Sequence, residues 1–375
     1  MKKFGIWLCL IVHSVSIHTA TNSSYRDSEI PKTFTVVSAN INLMPKGLSI
    51  ATSGKADIRA QQIGDALVKQ HPSADIFVLQ EMYDDEASRL LIQNLKAFGY
   101  DFYVGPTKQQ LEDYWKKKYR FILGSAKNSG QGVFVRKASN LTVDSYDVFP
   151  FINAGIEGIG VLESYVPKGV IHLKVSQNNG GESFSLFAHH LQAEIGLFAL
   201  SKLVQGQLTE VPKTVLSDVI HLQPYQKLRD KYPNYLQKIR TKQLEATMKW
   251  IDALKKEGKV SNQILHIGDF NFIAGTKEYE KVLKLMHVVP VTDKTLVTMC
   301  NPENSTWSRW TRPLYIALCR YINNNGWMDL GLVSPNLKKK VDSVEVIDLQ
   351  NEEGKSVTDH ESIAVTFDNL FTTKK

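Results

Sequence analysis

The chain is 375 residues long, 43% hydrophobic and 22% charged, which supplies a large core and excludes a disordered or low-complexity protein. Its formal charge of +7 includes two lysines at the extreme N-terminus, so the rest is only mildly basic. That balance suits an anionic or phosphate-bearing partner and argues against a broad basic surface that tracks nucleic acid.

In chain order, Lys2 and Lys3 precede an apolar run from Phe4 to Leu10 that continues less purely to Ile17, with small residues at Thr19 and Ala20. This is the layout of a secretory signal peptide over residues 1–20. The run is shorter than the roughly 20 apolar residues that cross a bilayer and is broken by His13, Ser14 and Ser16, so a cleaved leader and a secreted protein are expected. Export would leave Cys300 and Cys319 in an oxidising compartment, where they either pair or stay as buried thiols. Neither has CxxC spacing or a paired histidine, which argues against zinc.

Residues 21–375 read as a single domain. Hydrophobic periodicity predicts strands at 34–39, 76–80, 132–136, 170–175, 184–188, 264–267, 330–333 and 363–367, and helices at 58–70, 86–98, 240–256 and 277–286. This alternation places the fold in the α/β class. Two segments break it. Residues 195–238 read as a long surface insertion whose Leu197, Phe198, Leu200 and Leu203 suit a membrane-facing lip. The stretch 300–327 carries Trp307, Trp310, Tyr315, Tyr321 and Trp327, aromatics that suit either a core or a membrane interface.

Polar residues stand at the ends of the apolar runs: Asn40, Glu81, His189 and His190, Asp269 and Asn271, and Asp359 and His360 just before the last one. Singly, each is an ordinary turn, cap or structural residue. Together they supply hard oxygen donors for magnesium, imidazoles able to move a proton and amides able to donate to phosphoryl oxygens. Consecutive strand residues face opposite ways, so only one of His189 and His190 can enter a common site.

Gly268-Asp269-Phe270-Asn271 followed far downstream by Asp359-His360, with Leu79-Gln80-Glu81 after the second strand, resembles the signature of the endonuclease/exonuclease/phosphatase superfamily. His190-Leu191-Gln192-Ala193, Lys168-Gly169-Val170, the run from Leu79 to Asp84 and Arg240-Thr241-Lys242-Gln243-Leu244 at a helix start are similar to the neutral sphingomyelinases. The resemblance implies a four-layer α-β-β-α sandwich, two packed mixed sheets flanked by helices. It implies hydrolysis of sphingomyelin to ceramide and phosphocholine with Mg2+, for which Mn2+ or Co2+ can substitute, at a membrane surface and by a monomer.

Carried over residue by residue, Glu81 binds the metal with Asn40 and Asp359 beside it. His360 is the general base, oriented by Asp329, although Asp329-Leu330 departs from the family's Asp-Tyr. His190 binds the phosphate, Asp269 and Asn271 position water and phosphoryl oxygens, and Lys168 approaches the substrate. His189 is left to the core. The rival readings are a secreted nuclease of the deoxyribonuclease I-like type and a catalytically silent lipid-binding protein on the same scaffold.

Overall fold

A computed structural model describes residues 33–43, 56–107, 109–110, 129–151, 168–177, 182–191, 235–272, 274–292 and 329–371. The expected leader, Cys300 and Cys319, the aromatic stretch at 300–327 and most of the 195–238 segment lie outside the described residues. Twelve described strands form two six-stranded sheets. The first has the order β11-β12-β1-β2-β4-β3, and the second β5-β6-β7-β8-β10-β9. The strands are β1 Thr33–Leu43, β2 Ile76–Met82, β3 Tyr100–Val104, β4 Gly132–Arg136, β5 Leu141–Pro150, β6 Gly169–Gln177, β7 Phe184–His190, β8 Gln263–Asp269, β9 Val289–Pro290, β10 Asp329–Val333, β11 Val341–Ile347 and β12 Ser362–Asp368. The helices are α1 Ala56–Gln70, α2 Asp85–Ala97, α3 Tyr235–Lys256, α4 Lys277–Met286 and the short α5 Pro335–Lys338. Each sheet is mixed, with β1 and β2 parallel in one and β7 and β8 parallel in the other. Lys32–Lys375 forms one compact unit.

The layering follows from the period of two along each central strand. On β1, Phe34 and Val36 join the core shared with the second sheet, whereas Val37, Ala39, Ile41 and Leu43 face a separate core under α1 and α2. Ile63 and Leu67 of α1 and Leu91 and Leu95 of α2 fill that outer core with Phe77, Leu79 and Phe134. On the far side, Ile251 and Leu254 of α3 and Val282 and Met286 of α4 cover the second sheet. Strands buried on both faces are nearly continuous apolar runs, which is why all eight central ones are visible in the sequence. The four unexpected strands, β3, β5, β9 and β11, are the four sheet edges. Edge strands carry interspersed polar residues such as Asp144, Ser145, Asp342 and Glu345, so their apolar signal is weak.

One expectation is corrected. Helix α3 starts at Tyr235, so Arg240 lies in its second turn rather than at its start. Arg240 is only 2% exposed. Its guanidinium donates two bonds of 2.7 Å to Glu278 of α4, pinning the two helices together. Arg240→Ala strands the Glu278 carboxylate and should cost about 3–5 kcal/mol, read as a lower urea midpoint.

A second consequence concerns acid. Burial lowers the pKa of His71 to about 4, and His172 likewise to about 4, where burial outweighs the opposing pull of Asp147. The unfolded chain therefore binds these protons first. Their contribution is complete above the ordinary value of about 6.5 and is lost as pH falls toward 4. The urea midpoint should drop across that window, and His71→Asn should make the drop shallower.

Candidate active site

Strand register builds the site. His190 ending β7 is the parallel partner of Asp269 ending β8, and Asp269 is the antiparallel partner of Asp329 opening β10. One sheet end thus presents His190, Asp269 and Asp329 in a row. From the first sheet come Asn40 and Asn42 of β1 and Glu81 of β2, with Asp359 and His360 just before β12. Lys168 immediately precedes β6, whose Gly169 pairs with His190.

The side chains converge. His190 Nε2 lies 3.8 Å from Glu81 Oε1 and 3.8 Å from Asp269 Oδ2. Asn40 Nδ2 donates to Asp269 Oδ2 at 3.0 Å, bridging the sheets. Asn42 Nδ2 donates to Asp359 Oδ2 at 2.8 Å. His360 Nδ1 is 2.8 Å from Asp329 Oδ2. Asn271 donates from its backbone N–H to Asp269 Oδ1 at 2.9 Å and from its amide to the Leu191 carbonyl at 2.9 Å. Lys168 Nζ donates to that same carbonyl at 3.0 Å. His189 points the other way, its Nε2 2.9 Å from His266 Nδ1 and its ring stacked on Phe270.

Backbone in the left-handed region aims several of these groups. Glu81 has φ +63°, Asn271 +53° and Asn42 +47°. For Asn this is mild, but for Glu it costs about 1–3 kcal/mol, and it turns the Glu81 side chain out of the regular alternation of β2. Gly268, at φ +138°, lets β8 run against β7, since a Cβ there would stand 2.1 Å from the His189 carbonyl oxygen.

Electrostatics follow from crowding. Burial and then the Asp359 charge push Glu81 up to about 7, against the opposing influence of Lys168, His360 and an Asn40 hydrogen bond. Burial, aided by Lys168 and His360, holds His190 well below the usual histidine value. For His360 burial pulls downward, but the Asp329 charge and hydrogen bond, with Asp359 and Asp269, raise it well above. An imidazole held charged this way is an acid at neutral pH. Cancelling the Asp359 and Asp269 charges would return it toward service as a base.

Two groups have donor atoms within 4.8 Å of one another, as metal ligands require: Glu81, His190 and Asp269, and Asp269, Asp329 and His360. A hard divalent cation fits this donor set. Glu81 and Asp359 repel each other, and among the described residues the buried Nε2 of His190 has no hydrogen-bond partner although two carboxylate oxygens flank it. Asn40 lends its amide oxygen to the Asn42 N–H at 3.2 Å, so here it ties the acids together.

Three further residues of the site were not anticipated. Asn42 stands two places after Asn40, a spacing that puts both on one strand face and could have revealed it. Tyr83 brings its hydroxyl within 3.5 Å of His190 Nδ1, and only a glycine at 130 leaves room for its ring. Arg59 of α1 carries no local signal at all. Asp329→Asn should lower the His360 pKa, because it removes the largest of the charges that raise it, and imidazole nitrogen shifts followed through a pH titration would measure the drop.

No family profile and no curated protein matches the chain. Solved structures do. Sphingomyelinase C from Streptomyces griseocarneus shares 16% identity at a TM-score of 0.52, covering 90% of this chain and 99% of that one. A variant of beta toxin from Staphylococcus aureus with bound magnesium ions shares 18% at 0.53, covering 89% and 99%. D. rerio TDP2 complexed with single strand DNA product shares 14% at 0.53, covering 90% and 99%. Together with the two packed mixed sheets and their flanking helices, these likenesses give the chain the fold of the endonuclease/exonuclease/phosphatase superfamily.

Proposed function

We propose that the chain is a secreted, magnesium-dependent phosphodiesterase that hydrolyses sphingomyelin to ceramide and phosphocholine. The observation that carries this reading is the meeting of His190 Nε2 with Glu81 Oε1 and Asp269 Oδ2, each 3.8 Å away, beside Asp359 and the His360–Asp329 pair.

Glu81 and Asp359, with Asn40 alongside, would hold Mg2+, Mn2+ or Co2+. The bound ion would supply positive charge to the phosphoryl oxygens as they gain negative charge. His360, kept in place by Asp329, takes the proton from the attacking water. That water forms a new bond to phosphorus in line with the departing ceramide oxygen, whose bond to phosphorus breaks and which takes a proton from solvent, to which His360 returns the one it accepted. His190 and Asn271 face the phosphoryl oxygens, Asp269 holds the water's orientation, and Lys168 adds a positive charge beside the phosphate. Inversion at phosphorus follows.

The choice of lipid over nucleic acid is supported by the sequence at 190–193 and 168–170 and by the mild net charge. The protein would act as a monomer on the membrane surface without spanning it, and no helix among the described residues is long and apolar enough to cross a bilayer. The purified mature chain should release phosphocholine from sphingomyelin vesicles with magnesium, and chelation should stop it. His360→Gln should lower kcat about 10²–10⁴-fold with the fold intact by circular dichroism. Cleavage of DNA in place of sphingomyelin would transfer the reading to a nuclease, and inactivity toward every phosphodiester would leave a silent lipid-binding scaffold.

A further inference from the structure

Arg59 is a buried cation, 7% exposed, on a helix otherwise packed through apolar residues. Its guanidinium makes four hydrogen bonds, all to main-chain carbonyls. Nε and Nη2 donate to Val357 O at 3.2 and 3.0 Å, Nη1 to Asn42 O at 3.1 Å, and Nη2 to Ile41 O at 3.1 Å. Ile41 and Asn42 lie in β1 where its register against β2 shifts, between Asn40 and Leu43. Val357 lies two residues before Asp359. One side chain therefore ties the irregular end of β1 to the loop that delivers Asp359 and His360.

The second link in the same unit is Asn42. Held at φ +47° with its carbonyl on Arg59, it donates its side-chain amide to Asp359 Oδ2. Burying a guanidinium away from water is costly unless its donors are met, and burial does lower its pKa, opposed by the charges of Asp359 and Glu81. The fork geometry matters: three carbonyls on two separate segments are met by one rigid plane, and a lysine ammonium on its flexible stem cannot copy that arrangement.

We infer that Arg59 is a positioning residue for the Asp359–His360 pair, acting on Asp359 through the carbonyl and side chain of Asn42. It touches neither substrate nor reacting atoms. The inference about activity rests on the phosphodiesterase reading, but the positional role does not.

The test uses the full mature chain in four forms: parent, Arg59→Lys, Asn42→Ala, and Tyr100→Phe as a control that removes a buried hydrogen bond to Ala74 O outside the site. Three quantities are measured: hydrogen exchange of segments 40–43 and 355–361, Mg2+ binding by calorimetry, and turnover of bis-p-nitrophenyl phosphate. In Arg59→Lys both segments should exchange at least tenfold faster. Mg2+ affinity should fall about 10–100-fold and kcat by a similar factor, with KM within threefold. Asn42→Ala should repeat the affinity and kcat losses and covers the case in which Arg59→Lys does not fold. Tyr100→Phe should change stability alone. The inference is overturned if the Arg59 variant keeps parental exchange in both segments, or if Tyr100→Phe reproduces the losses of kcat and affinity. A parent chain that cleaves no phosphodiester refutes the proposed function only, and the exchange comparison still decides the role of Arg59.

Discussion

Four carboxylates share one buried pocket, and their mutual repulsion is the constraint on which the rest of the site depends. Glu81, Asp269, Asp329 and Asp359 arrive from three different strands and one loop of two sheets, so no local sequence feature can relieve them. Relief is distributed instead. Asn40 donates to Asp269, Asn42 to Asp359, and His360 holds a positive charge against Asp329. What remains uncompensated appears as the upward shift of Glu81, driven first by burial and then by the Asp359 charge. A site that is electrostatically incomplete in protein alone is suited to a cation, and the carboxylates of the same site raise His360 well above the ordinary histidine value.

Holding such a site open requires rigid backbone, and the chain obtains it by local departures from regular structure. Glu81 accepts a left-handed conformation inside a strand, Gly268 allows an approach that any side chain would block, and the β1 irregularity turns Asn42 toward Asp359. The double-sided burial of the central strands makes these departures sustainable, because the surrounding packing over-determines them. On the opposite face of the second sheet, His189 and His266 are committed to the helix-covered core, which leaves His190 as the imidazole of β7 that enters the pocket.

The sequence carried the central strands, the four longer helices and the principal polar residues, because those signals are local. Double-sided burial writes a run of apolar residues, and a polar side chain at a strand end interrupts it. The edge strands were illegible because exposed residues interrupt the partly buried ones, as the alternation at the start of β5 makes plain. Arg59 was illegible for another reason. A single arginine on an amphipathic helix is the commonest of surface residues, and only the three-dimensional meeting of Ile41, Asn42 and Val357 gives it a task. Tyr83 belongs to the same class, since its closeness to His190 depends on room left by a glycine distant in sequence.

The pairing of β1 with β12 has a consequence for how the molecule comes into being. The first described strand takes its neighbour from the last described one, Thr33 facing Asp368, so the first sheet stays split until that strand has been made. Contacts this remote along the chain form slowly, after local helices and hairpins. Asp359 and His360 travel with that closing strand. A nascent chain that lacks it has neither a finished sheet nor the pair that sets His360 against Asp329, so the site is assembled only when β12 docks.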